Sequence, residues 1–384
     1  MKILIASQQF RPARNGIATS ASSVADRLVK YGHEVVVYTD VIKKGCKVQD
    51  EPGMSVQRFQ AAGLGRLGNP YRGEIHRYQQ RLIQSRADAF IFVCWENWFL
   101  DNALPVFGEL AGKKIIASHG TSALWRPPGL KGALRRLLYL PHLSRYHDGL
   151  EKTDALVVLT DMLQRERFYD NILVKERPHV RLATIPNGHS AMPVGSLGEF
   201  RREYGLEGKG IALCVGNYTW SKNQVELMKL FYAAKLKDWT LVLIGSSTSS
   251  YYKRLKSQAR RYALQGVEIL VLSNVDREIA SAYRDADLFV TTSITEAQPL
   301  VLLDAMGVGL PFIAYDVGCI AELPGGIAVK GPMQFVEGLK SLAASPLERR
   351  RLGQLGKLSA STYYCWDLVG AHYAQLLTSL TGLA

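Results

Sequence analysis

The chain has 384 residues, 47% of them hydrophobic and 21% charged, with 47 Lys and Arg against 34 Asp and Glu and a formal net charge of +13. That length allows two domains that each bury a core, and the composition excludes a disordered chain. No apolar run reaches the roughly 18 residues of a spanning helix, and the opening MKILIASQQF is too short for a secretory signal.

The expectation is therefore a cytoplasmic protein, soluble or peripheral on the inner face of the cytoplasmic membrane. Cys46, Cys94, Cys214, Cys319 and Cys365 are scattered and form no C-x-x-C pair, which fits reduced thiols and no zinc site. The surplus of positive charge leaves three candidate partners: nucleic acid, an anionic membrane surface, or anionic small substrates. Few basic stretches are interleaved with aromatics, and no nucleic-acid motif is present, so nucleic acid is set aside.

In chain order, the runs 3–7, 34–40, 89–94, 114–120 and 155–160 are near-continuously apolar and read as buried parallel strands. A helix over 19–31, ended by Gly32, joins the first two. The loop QQFRPARNG ahead of it holds Gly16, either a close-approach glycine or a simple turn. Arg11 and Arg14 flank it, set to meet an anionic acceptor or to be solvated. His119 ends the strand 114–120, where a lone histidine is more often structural. Residues 121–140 interleave Arg126, Lys131, Arg135 and Arg136 with Trp125 and leucines. They read either as a basic amphipathic surface for anionic lipid or a lipid-linked acceptor, or as a packed helix with a solvated face.

The uncharged stretch 191–198 marks the domain boundary, giving domains over 1–192 and 199–364. The second domain repeats the pattern with strands at 211–216, 240–245, 268–272, 288–292 and 311–316, and an amphipathic helix over 361–377 closes the chain. The fold class is α/β, two Rossmann-like doubly wound domains, with ligands at the carboxyl ends of the strands and a cleft between the halves as the default site. No G-x-G-x-x-G is present, which argues against hydride transfer. Asp285-Ala286-Asp287 mimics a metal-binding pair, but it ends a helix and enters a buried strand, so Asp285 is assigned to the turn.

The stretch 291–316, TTSITEAQPLVLLDAMGVGLPFIAYD, carries the most chemistry. Pro299 fits the first position of a helix, leaving the amides of Leu300 and Val301 to meet an anion such as a diphosphate. Asp304 lies one turn further along on the same face, placed to accept two ribose hydroxyls. Glu296, before the helix, faces the sugar side.

This block resembles the donor-site motif of the family 4 glycosyltransferases: a Glu, seven residues, a second acid, Ala-Met, Gly-Leu-Pro and a strand ending in Asp-Val-Gly. Glu296, Asp304, Ala305-Met306, Gly309-Leu310-Pro311 and Asp316-Val317-Gly318 stand at those places. Ile185-Pro186-Asn187-Gly188 matches the signature before the linker, and Lys222 in VGNYTWSKNQ matches the diphosphate-clamping lysine. The chain departs from the pattern at Asp304, where Glu is usual, at Ala297-Gln298-Pro299 for Gly-Phe-Gly, at Asn217 for the clamp arginine, and at Asn15 for a Gly.

The resemblance implies the GT-B fold, two domains facing across a cleft, with the last helix over 365–384 packing back on the first domain. The first domain would bind the acceptor through Arg11, Arg14 and Arg126. The second would bind a nucleoside-diphosphate sugar through Asn217, Gly245, Val275, Gln298, Leu300, Val301 and Asp304, with Gly16 approaching the same donor. Glu296, His119 and Lys222 would serve a retaining transfer without metal or cofactor, the acceptor being a glycan or lipid-linked hydroxyl in cell-envelope synthesis. A nucleotide-sugar epimerase, a hydrolase on the same fold, and a non-catalytic polyanion binder stay open as alternatives.

Overall fold

The computed structural model describes residues 1–42, 53–125, 129–189, 192, 197–245, 250–273, 275 and 278–383. The chain forms two compact units, Met1–Asn187 with Trp366–Ala384, and Gly188–Cys365.

The first unit is built on a seven-stranded parallel sheet: β1 Lys2–Ala6, β2 Glu34–Asp40, β3 Met54–Phe59, β4 Ala89–Val93, β5 Lys113–Ala117, β6 Ala155–Val158 and β7 Arg181–Thr184. Their spatial order is β3-β2-β1-β4-β5-β6-β7. Ile3, Leu4 and Ile5 of β1 and Phe92 of β4 are fully buried, because helices cover both faces of the sheet. Helix α1, Gly16–Lys30, starts earlier than its apolar pattern suggests because the Asn15 side chain caps it, accepting from the Ala18 N–H at 3.1 Å. Gly16, expected in a loop, is thus the first helical residue. The helix closes at Gly32, whose φ is +82° and whose N–H reaches the Val29 carbonyl at 2.9 Å. Further along, helix α2 covers Leu130–Leu138.

Strands β3 and β7 lack the apolar run that marks the interior strands, since both are edge strands with mixed burial. Strand β5 ends at Ala117, so His119 lies in the loop beyond it and not at the strand end.

The second unit is a six-stranded parallel sheet: β8 Gly210–Val215, β9 Trp239–Gly245, β10 Ile269–Ser273, β11 Leu288–Thr291, β12 Phe312–Tyr315 and β13 Gly326–Val329, ordered β10-β9-β8-β11-β12-β13. Ala212 in β8 pairs with Leu241 of β9 on one side and Leu288 of β11 on the other. Helix α3, Leu300–Val308, follows β11. Asp285, assigned to the turn at the end of its own helix, instead caps a distant one: its carboxylate accepts from Gly198 N at 2.7 Å and Phe200 N at 2.9 Å at the start of the helix Glu199–Tyr204. Asp287 is occupied by Arg201 at 2.8 Å.

The closing segment is two helices, Pro346–Tyr363 and α4, Trp366–Thr381, where one was expected over 361–377. His189 N–H donates to the Tyr364 carbonyl at 2.6 Å, and His189 pairs with Cys365 as an isolated bridge, at the break between the two helices. Helix α4 lies on α1 within the first unit: Gly370 leaves no room for a Cβ, which would sit 2.3 Å from Arg27 Cβ. Among the described residues Cys94, Cys214, Cys319 and Cys365 are free thiols, and Cys46 lies outside them.

Replacing Asp285 with Ala strips three amides, those of Gly198, Phe200 and Arg201, of their acceptor. A loss of about 2 kcal/mol is expected, read as a lower urea midpoint with an unchanged slope.

Candidate active site

In the second sheet the strand order reverses between β8 and β11, and the loops leaving their carboxyl ends run side by side. Two contacts stitch them together: Ile294 N–H donates to the Ser221 carbonyl at 2.8 Å, and Thr292 Oγ1 donates to the Asn223 carbonyl at 3.0 Å. Lys222, on a single 3-10 turn, and Glu296, in the loop after β11, are thereby brought together, Nζ to Oε1 at 2.5 Å. Their side chains are 29% and 12% exposed, so the pair is sheltered but open to solvent on the lysine side.

Gly318 supports this loop from behind. Its φ is +61°, and a Cβ there would stand 2.3 Å from the Glu296 carbonyl oxygen and 2.5 Å from that of Ala297. Cys319 N–H holds the Ala297 carbonyl at 3.0 Å. Gln298, expected at the donor, is 7% exposed and hydrogen-bonds the Cys319 thiol, which burial pushes up to about 12.

Pro299 is the N-cap of α3 and not its first helical residue: its backbone is extended, with φ −73° and ψ 117°, and its carbonyl accepts from Leu302 N at 3.0 Å. Leu300 and Val301 therefore open the helix, and their amides are among those an α-helix leaves without an intrahelical acceptor. Asp304 sits half-buried one turn on. Its charge, after burial, helps raise the Tyr283 phenol far above its usual range, and the Tyr283 hydroxyl donates to the Val301 carbonyl at 3.3 Å. Lys222, Glu296 and the opening of α3 thus form one group on the second unit.

Asn217 is exposed, and its carbonyl accepts from Gln224 at 3.1 Å. Gly245 serves packing: a Cβ would meet the Gly216 carbonyl at 2.4 Å. Val275 is buried in the core of the unit. Sequence reasoning missed Tyr218, whose ring stacks on Tyr252 at 5.5 Å and whose hydroxyl donates to the carbonyls of Leu243 and Leu272, because those partners carry no side-chain signature.

In the first unit, burial first and then the Arg167 guanidinium push His119 down to about 4. Arg167 also donates to the His119 carbonyl at 3.2 Å and the Thr121 carbonyl at 3.1 Å, fixing the loop after β5. Glu96, which sequence reasoning passed over, holds the same loop: it accepts from Ser122 N at 2.6 Å, Ala123 N at 2.8 Å, Ser122 Oγ at 2.6 Å and the Tyr146 hydroxyl. An unclaimed acid just past a wholly apolar strand was the available signal. Arg11 is a fork pair with Asp26, both bonds 2.8 Å, so its guanidinium is engaged within the unit. Arg14 and Gly16 are exposed, and Arg126 lies outside the described residues. Among the described residues no cluster of three His, Cys, Asp or Glu side chains is placed to hold a metal.

Two parallel-sheet α/β units, the second carrying a cation, a carboxylate and a helix opening at its switch point, have the architecture of the GT-B class. Residues 198–358, within the second unit, match the family model of the glycosyl transferases group 1, which marks that stretch as a glycosyltransferase domain. It is 23% identical over 330 residues to the alpha-monoglucosyldiacylglycerol synthase of Streptococcus pneumoniae, covering 82% of this chain and 71% of that one. It is 26% identical over 223 residues to an uncharacterized glycosyltransferase of Haemophilus influenzae, spanning about half of each, 56%. The structure of Anabaena HepE in complex with UDP superposes with a TM-score of 0.75 at 15% identity, over 99% of this chain and 100% of that one, and shows the shared fold. The epimerase, hydrolase and non-catalytic alternatives give way to this assignment.

Two outcomes are expected. Gly318→Ala should displace the Glu296 loop and lower turnover at least tenfold, about the effect of a 1 Å misplacement or less, and the strained backbone should lower the urea midpoint as well, by about 1 kcal/mol or more of stability. His119 binds its proton more weakly folded than unfolded, so the stability it contributes above pH 6.5 is lost as pH falls toward about 4. Urea unfolding of His119→Gln should show a flatter loss of stability across that window than the parent.

Proposed function

We propose that the chain transfers a sugar, with retention, from a nucleoside-diphosphate sugar to a hydroxyl of a glycan or lipid-linked acceptor in cell-envelope synthesis, without metal or cofactor. The observation that carries the reading is the 2.5 Å Lys222–Glu296 contact beside the opening of α3. As the glycosidic bond breaks, negative charge grows on the diphosphate, and Lys222 with the Leu300 and Val301 amides stabilises it. Positive charge grows on the sugar ring, and Glu296 faces that change. The acceptor hydroxyl enters from the face the diphosphate leaves, and a departing phosphate oxygen takes its proton, so no separate base is required. Asp304 accepts the ribose hydroxyls, and His119, neutral at physiological pH, is assigned to hydroxyls of the donor sugar. With Asn217 in place of a clamp arginine, Lys222 carries that neutralisation alone on its loop.

UDP is the favoured donor nucleotide, in keeping with the UDP complex of the structurally similar HepE. A lipid-borne acceptor is in keeping with the diacylglycerol glucoside named in the Streptococcus pneumoniae relative. The work would then take place in the cytoplasm at the membrane surface.

Thermal unfolding with UDP, GDP, ADP and CDP tests the donor half. One diphosphate at about 100 times its dissociation constant should add roughly 2.7 kcal/mol of stability, and Asp304→Ala should abolish the gain. Glu296→Gln should cut kcat by about a hundredfold or more with donor affinity within a factor of about three; equal losses in both would remove its catalytic assignment.

A further inference from the structure

Arg167 is laced into the loop after β5 through three consecutive residues. Its Nη1 donates to the Thr121 carbonyl at 3.1 Å and its Nη2 to the His119 carbonyl at 3.2 Å. The bonding is reciprocal, since the Arg167 carbonyl accepts from the Thr121 N–H at 2.7 Å and from the Thr121 hydroxyl at 3.2 Å. Between them lies Gly120, with φ +80°, where a Cβ would stand 3.0 Å from Arg167 Nε and 3.0 Å from its carbonyl oxygen.

The arm that presents Arg167 is itself fixed. The N–H groups of Arg167 and Phe168 both donate to the Gln164 carbonyl, at 3.1 Å and 2.6 Å, and Phe168 is buried. Asn171, also buried, ties down the start of the arm by donating to the carbonyls of Thr160 at 2.8 Å and Met162 at 2.9 Å.

A neutral amide could meet carbonyl oxygens as well, so the fork alone does not account for a cation here. Arg167 Nε is buried without an acceptor, and among the described residues no carboxylate pairs with the guanidinium. Glu96, on the same loop, is spent on Ser122, Ala123 and the Tyr146 hydroxyl. A sheltered charge without a counter-charge is costly, and this one stands beside His119. The other titratable groups facing the histidine are neutral. The Cys94 thiol, which accepts the His119 backbone N–H, is pushed by burial up to about 12. Burial also raises the Tyr373 phenol of α4, which lines one small cavity with His119 and with Ser20 of α1.

We propose that Arg167 is a positioning residue for sugar transfer: threaded through the loop 119–121, it fixes where the His119 imidazole meets the donor and sets its own charge against a second one on that ring. The inference rests on the assignment of His119 to hydroxyls of the donor sugar. A neutral imidazole can accept a hydrogen bond from a hydroxyl, whereas the charged ring can only donate.

The test compares Arg167→Gln, which keeps an amide donor and loses the charge, with Arg167→Lys, which keeps the charge and loses the fork. Proton NMR titration of the imidazole, assigned through His119→Gln, should give a midpoint at about 4 in the parent. The midpoint should rise by about one pH unit in Arg167→Gln and stay near the parent's in Arg167→Lys. With UDP-glucose as donor and water in the acceptor's place, both variants should lower kcat about tenfold with KM within a factor of about three. The acid limb of kcat/KM should move up with the titration in Arg167→Gln alone, and the response of the thermal midpoint to UDP should match the parent's in both. A loosened fold would instead cut turnover equally at every pH. An unmoved His119 titration in Arg167→Gln, or a pH profile of unchanged shape, would overturn the proposal. If no nucleotide stabilises the parent, the donor reading fails on its own terms, and the titration still decides whether Arg167 governs His119.

Discussion

Lys222 and Glu296 are 74 residues apart in the chain and meet because a parallel sheet wound in two directions from its middle brings two loops out at one point. The constraint is geometric before it is chemical. Strands β8 and β11 pair directly, their crossover connections run to opposite sides, and the loops beyond them run side by side. Backbone bonds between Ser221 and Ile294 convert that proximity into a fixed spacing. Everything at the site then depends on short, stiff connections: Gly318 allows the chain to press against the Glu296 carbonyl, and Pro299 turns directly into α3.

The first unit holds its loop after β5 by a different device. Glu96 gathers four donors and Arg167 supplies two, so the segment 119–123 is gripped by a carboxylate on one side and a guanidinium on the other. Buried polar groups of this kind are costly when left unpartnered, and here each of these bonds goes to a backbone or hydroxyl group, all of them in this loop but the Tyr146 hydroxyl. The His119 imidazole in that loop stays uncharged, because the protonated ring would have to sit in a sheltered place beside a cation.

The interior of both sheets was legible in the amino-acid sequence. Strands covered on both faces must be apolar throughout, and β1, β4, β9 and β11 are runs of that kind. The edge strands β3, β7 and β13 escaped notice because one side of each meets no further strand, so MSVQRF and RLAT carry polar residues that read as loop. At the site, Glu296, Lys222 and the opening of α3 were visible as residue types at telling spacings. The inward turn of Gln298 onto Cys319 was not, since a glutamine after a strand carries no sign of the direction it will face. Arg11 illustrates the same limit: its fork is taken by Asp26, fifteen residues away, a pairing that only the packing of the loop against α1 determines. The ends of elements were displaced by caps, as with Asn15, and by a long-range bridge, as with His189 at Tyr364 and Cys365.

The chain enters the second unit after Asn187 and leaves it at Cys365, so the second unit is one continuous stretch while the first is assembled from two ends. On a ribosome this sets an order of events. The second unit can close its core as soon as its last strand and helices have emerged. Helix α1, made early, must wait with Arg27 and Tyr31 lacking the cover of α4 until more than 300 further residues have been synthesised. During that wait the first unit is the vulnerable partner, and a chaperone that shields apolar helix faces would find its client there.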